Sequence, residues 1–404
     1  MSDLTRAIAP NRSSELFQLL LDGAPRTRAE LAAITGLSRS TVAMRIEALM
    51  DAGLVAPVGD ATSTGGRPSS LFALNPSARL LVAADFGATH ATIGLVDLAG
   101  SLYARRREAI AISAGPVVVI DRLISITSDL LADLDRSVED ISAVGIGLPG
   151  PVEFSTGKPS KPPIMPGWDG FDVPSAVRAR MPGPLPVLVD NDVNIMALGE
   201  RSRSFPDVEN LIFVKVATGI GAGVISGGLL QRGASGIAGD IGHVFVERAS
   251  NIACSCGNFG CLEAIASGPA VASALRDTGI DAHSTSDVLE LVRDGNFAAI
   301  RAVRQAGRDI GGVLTTCVSL INPSIIVIGG SLAQAGEHLL AGVREVVYAR
   351  STPLATDRLQ IVQSAVAADA AVVGAGALAL EYALSAHGID DLVNSDPAQK
   401  APAR

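Results

Sequence analysis

Apolar residues in the first fifty positions recur at helical spacing. Leu16, Leu19 and Leu20 share one face of a short helix that "DGAP" at 22–25 stops, and Val42, Ile46 and Leu49 line one face of another. Between these two, Thr27 with Glu30 three positions on predicts a capping box for a second helix, and Gly36 turns the chain after it. Ser38 then caps the third helix, whose outward positions near its start are Arg39, Ser40, Thr41, Met44 and Arg45. The continuation "LVAPVGDATSTGGRPSSLFALNP" has the polar, Gly-rich tip of a β-hairpin, with Arg67 between Gly66 and Pro68.

Past a linker near 75–79 the period changes. "RLLVAADFGATHATIGLVDLAGSLYARR" reads as strand, glycine turn, strand, turn, strand, and the same design returns in "NLIFVKVATGIGAGVISGGLLQRG". "ISAVGIGLPGPV" and "PSIIVIGGSLAQ" also echo each other, each following a helical stretch and ending in a Gly-rich turn. The chain therefore reads as α/β and internally duplicated, with two halves facing each other across a cleft. The expected boundaries are a winged helix-turn-helix segment over 1–76, whose wing is that hairpin, a first half over 80–190 and a second over 191–390. A final helix can return to the first half, and 391–404 is a disordered tail, "NSDPAQKAPAR" being polar.

Composition narrows the function classes. With 404 residues, 48% apolar and 42 glycines, the chain buries a large core. No apolar run reaches the roughly 18 to 20 residues of a membrane span, and no leader pattern opens the chain, so a cytoplasmic protein without membrane contact is expected. The net charge of -9 argues against general affinity for nucleic acid, but seven arginines and no lysine within 1–76 offset the acids there. That segment alone has the charge to approach DNA. The third helix is expected in the major groove, with Arg39 or Arg45 on guanine edges, Ser40 and Thr41 on phosphates or bases, and Arg67 in the minor groove. A helical interaction module with solvated arginines is the competing reading.

The candidate chemistry lies in the duplicated part. Turns directly after strands bare backbone N–H groups that suit phosphate oxygens: Asp85, Gly87 and Thr89 in one half, Thr218, Gly219, Gly221 and Gly223 in the other, and Gly329 and Gly330 after a later strand. Each turn could equally serve hairpin geometry alone. In "VLVDNDVNIMALGE", Asn191 and Asp192 sit on a strand-to-helix corner, as hydroxyl binders or as a helix N-cap. Cys254, Cys256 and Cys261, with His243 eleven residues before the first of them, make a closed set of three thiolates and an imidazole suited to structural Zn²⁺. C-x-C-x4-C lacks the C-x-x-C spacing of a redox pair, and Cys317 reads as helix core.

"DFGAT", "GLPGPV", "PPIMPGW", "DNDVN", "ATGIGAG", "GDIGH" and "CSCGNFGCLE" stand in the order typical of the ROK family of repressors, open reading frames and sugar kinases. The resemblance covers about 14–385. With the helix-turn-helix ahead of these motifs, the chain is similar to the repressor branch of N-acetylglucosamine and xylose type. It implies an actin-like, hexokinase-type ATPase fold, and it assigns Asn191, Asp192, Asp240, His243 and Glu263 to the sugar, with Asp192 the general base in kinase members. Ala217, His90, Ile164 and Asp240 replace residues usual in the kinases, namely Gly, Lys or Asn, Asn, and Glu. The expectation is thus a repressor that senses a sugar or sugar phosphate, assembles as a homodimer or homotetramer and reads operator DNA. ATP and Mg²⁺ would matter only in the alternative, an active sugar kinase.

Overall fold

A computed structural model describes residues 13–60, 69–183, 185–366 and 369–394. Its N-terminal unit holds α1 (Ser14–Gln18), the short strand β1 (Arg26–Thr27), α2 (Arg28–Thr35) and α3 (Arg39–Asp51), then β2 (Val55–Asp60) and β3 (Ser70–Leu74). The three strands pair in the order β1-β3-β2, which makes a winged helix-turn-helix. The capping box forms: the Thr27 amide donates to Glu30 Oε2 at 2.7 Å and the Glu30 amide to Thr27 Oγ1 at 3.2 Å. Gly36 ends α2 at a φ of +70°, a left-handed conformation that favours glycine. The first helix is shorter than expected, since the chain leaves it at Gln18, ahead of "DGAP". Leu16, Phe17, Leu20, Leu31, Val42, Ile46 and Leu49 are fully buried together.

The first α/β half runs through β4 (Leu80–Phe86), β5 (Ala91–Asp97), β6 (Leu102–Glu108), α4 (Pro116–Ala132) and β7 (Ile141–Leu148). The ribbon β8 (Val152–Glu153) and β9 (Lys158–Pro159) follows, then α5 (Val173–Arg178) and β10 (Val187–Asn191). The sheet order is β10-β7-β4-β5-β6, with β4, β5 and β6 antiparallel and β7 and β10 parallel. Strands β4 and β5 are buried along their whole length, while β6 alternates as an edge strand does.

After α6 (Asp192–Ser204) the second half repeats the plan: β11 (Leu211–Val216), β12 (Ile220–Ser226) and β13 (Leu229–Gln231), then α7 (Glu263–Ala266), α8 (Gly268–Asp277), α9 (Thr285–Arg293) and α10 (Phe297–Ile321). It closes with β14 (Ile325–Gly329), α11 (Glu337–Arg350), α12 (Pro353–Thr356) and β15 (Gln360–Gln363). Its order, β13-β12-β11-β14-β15, copies the first sheet strand for strand, again an antiparallel meander followed by two parallel strands. The echoing glycine hairpins in the sequence are this duplication.

Two last helices tie the parts together. α13 (Ala370–Ala383) returns to the first half, burying Val372, Ala375 and Ala379 with Leu81, Ala83 and Ala143. It lies so close to α6 that a methyl group on Gly374 would collide with the Ile195 carbonyl, and one on Gly199 with the Ala370 carbonyl. α14 (Ala386–Asn394) then turns by 68° and buries Ile389 in the winged-helix core beside Leu98 of the body. Ser14 Oγ donates to Asp390 Oδ2 at 3.3 Å, and Gln18 Nε2 to the Leu384 carbonyl at 2.5 Å. The tail boundary at 391 is therefore corrected: 391–394 is the last turn of α14, held by Leu392 and Val393 against that core. Among the described residues no single helix is long and apolar enough to cross a membrane.

Candidate functional site

Between the halves lies a cavity of about 1430 Å³. Its lining brings together Asp85, Gly87 and Thr89 from the β4–β5 turn, Thr218, Gly219 and Gly221 from the β11–β12 turn, and Gly329 and Gly330 after β14. Asn191, Asp192, Asp240, His243 and Glu263 line the same space. Gly223 does not belong to it: a methyl there would press on the Ala197 methyl and the Val193 carbonyl, so it serves the packing of β12 on α6. Gly329 is similarly crowded by the Phe213 ring, whereas Gly330 turns at a φ of +90°.

The corner at 190–194 is held by side-chain bonds at Asp190, Asn191, Asp192 and Asn194. Asn191 caps α6, its Oδ1 accepting the Val193 amide at 2.9 Å while its Nδ2 donates to the Gly150 carbonyl at 2.9 Å. The N-cap reading of Asn191 therefore holds, and both arms of its amide have protein partners. Asp192, buried at the first turn of α6, accepts the Lys215 ammonium on Oδ2. Asp190, 1% exposed, accepts the Asn194 side chain and Arg232 Nε, each at 2.7 Å. Arg232 also stacks 3.7 Å over the Phe154 ring. Neither Lys215 nor the Asp190–Arg232 pair was visible to sequence reasoning.

Electrostatics on the floor follow from this crowding. Burial, then the neighbouring Asp192, pushes the Asp85 carboxyl up to about 7. Burial alone would depress the Lys215 ammonium, but Asp192 and Asp85 outweigh it and hold its pKa above the ordinary lysine value. His90 is shifted down by burial and by Arg107 and Lys215.

The cysteine loop forms the far wall. One ring nitrogen of His243 and the sulfurs of Cys254, Cys256 and Cys261 all lie within 4.8 Å of one another. The Cys256–Cys261 and Cys254–His243 separations are both 3.7 Å. A tetrahedron with Zn–S bonds of about 2.3 Å has edges of about 3.8 Å, so the donor set fits a metal such as zinc. Burial pushes the Cys261 thiol up to about 12, and its sulfur neighbours add to this, a crowding that a bound cation reverses. The loop is shaped by bridges pairing Phe245 with Cys261 and Ala253 with Phe259. Glu263 follows two residues after Cys261: its Oε2 accepts the Ile220 amide at 3.0 Å, which ties the β11–β12 turn to the cysteine loop.

On the winged helix, Arg39 and Ser40 are exposed at the start of α3, and Thr41 is half-buried. Ser38 Oγ caps the Thr41 amide at 3.1 Å and touches Ser40 Oγ at 2.9 Å. Arg45 departs from its expected outward placement. Its side chain is 13% exposed and pairs with Glu15 at 2.9 Å, because α1 lies alongside that face of α3. Arg67 lies outside the described residues.

The ROK family profile matches residues 81–382 and a helix-turn-helix domain profile matches 13–58. The chain is 29% identical over 350 residues to a putative xylose repressor of Caldicellulosiruptor sp. (strain Rt8B.4), covering 83% of this chain and 87% of that protein. It is 28% identical over 316 residues to a glucokinase of Halalkalibacterium halodurans, covering 74% of this chain and 94% of the kinase. A solved ROK family transcriptional regulator, described as a homologue of the Escherichia coli MLC protein, superposes with a TM-score of 0.80. That match covers 94% of this chain and 98% of the other at 24% identity, and shows a shared fold.

Proposed function

The chain belongs to the ROK family, and from that premise we propose that it is a DNA-binding transcriptional regulator, a repressor of sugar-metabolism genes that senses a sugar or sugar phosphate in its kinase-like cleft. The observation that carries the reading is a continuous mechanical path. α13 begins beside the cleft, where Ala371 lines the cavity, and runs along α6, whose first residue is Asp192. α14 then ends the path inside the winged-helix core at Ile389. A ligand that favours one angle between the halves would thereby favour one placement of α3.

Asp192, Asp240, His243 and Glu263 are the sugar-facing set, with Asn191 holding the corner in shape. A structural zinc on His243, Cys254, Cys256 and Cys261 would fix the loop that presents Asp240 and Glu263. Arg39, Ser40 and Thr41 would meet the operator, and pairing of two chains would supply two recognition helices. The putative xylose repressor, matched across most of both chains, supports this function, whereas the glucokinase match spans a smaller share of this one.

Calorimetry of the zinc-loaded protein against pentoses, hexoses and amino sugars, with a coupled ATP-turnover assay on each, tests the reading. Sugar binding without turnover is the expected result. Turnover that Asp192→Asn abolishes would establish the kinase instead.

A further inference from the structure

Strands β4 and β11 are the matching first strands of the two halves, and each ends at the cleft floor. Asp85 stands at the next-to-last position of β4 and Lys215 at the next-to-last position of β11. Asp192 enters from the N-terminus of α6, with the Lys215 ammonium on its Oδ2. All three line the cavity beneath the Gly87–Thr89 and Thr218–Gly219 turns. Two buried carboxylates converging below two phosphate-binding turns are an arrangement that draws a divalent cation with a nucleotide. Here the chain puts a cation of its own there.

We propose that Lys215 is a built-in counter-ion that fills the dicarboxylate floor of the cleft. It would exclude the divalent metal that a nucleoside triphosphate requires and hold Asp192 as a hydroxyl acceptor instead of a base. The ammonium occupies Oδ2, so a ligand hydroxyl meets Asp192 through its other oxygen, and a proton moving to this carboxylate competes with the lysine. Asp85 agrees with this account. With one ammonium shared between two acids, burial leaves the second carboxylate undercompensated, and its pKa rises to about 7. Arg107 lines the same cavity and adds to the positive field that keeps His90 below its ordinary value. The inference deepens the regulator reading by giving a reason why the cleft binds without transferring phosphate.

The probe is Mn²⁺ alone, followed by electron paramagnetic resonance on the zinc-loaded full chain. The parent protein is expected to bind no Mn²⁺ that depends on Asp85. Lys215→Met removes the positive charge from between Asp85 and Asp192, which at about pH 8, above the value of about 7 for Asp85, should tighten Mn²⁺ binding by about a hundredfold. Adding Asp85→Asn to that variant should abolish the gain. If Lys215→Met loses zinc or its circular dichroism, Lys215→Gln keeps a donor at the site and serves in its place. Mn²⁺ binding by the parent that Asp85→Asn removes would overturn the proposal, as would a folded Lys215 variant that binds no more Mn²⁺ than the parent. Both outcomes are read on Mn²⁺ alone, apart from the sugar and DNA assays on the parent chain, so failure here is separable from failure of the regulator reading.

Discussion

Replacing Ile389 tests whether α14 is the joint between cleft and DNA-binding unit. The side chain is 0% exposed and packs in one cluster with Leu16, Phe17, Leu20 and Leu98. Ile389→Ala removes three buried carbons, worth about 0.8 kcal/mol each by transfer, and the cavity left behind brings the loss to about 3 kcal/mol. The loss falls on a local contact, so it should raise the open population of the joint on the order of a hundredfold. Hydrogen exchange read by mass spectrometry should show faster exchange at 14–20 and 386–394, with α10 unchanged. The winged helix keeps its own core, so DNA binding should persist while its response to sugar shrinks. Leu354→Ala, at a 90% exposed position, is the control that should do nothing. Unchanged exchange at 14–20 and 386–394 in Ile389→Ala would refute the joint.

Three further perturbations have directions set by the structure. Cys254→Ala or Cys261→Ser should lose zinc by elemental analysis and, because Asp240 and Glu263 ride on the same loop, lose sugar binding; a Cys254→Ala protein with normal sugar affinity would contradict the role given to the metal. Arg39→Ala should weaken a sequence-specific complex by about 1–3 kcal/mol in fluorescence anisotropy, whereas Arg45→Ala, deprived of Glu15, should show mainly as a lower melting temperature of the winged helix. Asp85 keeps its proton in the folded chain up to about pH 7 and loses it near 3.8 when free. The folded state thus binds the extra proton in that window, and stability falls as pH rises across it. Asp85→Asn removes that slope, so its stabilising effect in thermal melts should be larger at about pH 8 than at about pH 5.

What the sequence made legible was local. Thr27 and Glu30 are three residues apart, Gly36 needs a left-handed turn, and the glycine hairpins repeat within single stretches of chain. The cysteine cluster was likewise contained in one loop, apart from His243. The rest depended on partners distant in the chain. Arg45 lies on the border of the amphipathic face of α3, and only the position of α1 decides that it turns inward to Glu15. Lys215 within "FVKV" reads as the solvent side of an alternating strand, yet β11 is central in its sheet and its end opens onto the cleft. Arg232 finds Asp190 from 42 residues away. α14 is nine residues long, too short to be stable alone, and its apolar face finds its partners in the winged-helix core and in Leu98, far away in the chain.

The most direct measurement is the affinity of the zinc-loaded protein for the DNA fragments it selects from its own genome, with and without each sugar of a panel. The account predicts that at least one sugar shifts that affinity by about 5- to 150-fold, and that Asp192→Asn removes the shift while leaving sugar-free DNA binding intact. Selected DNA whose affinity no sugar moves, or no selected DNA at all, would contradict it.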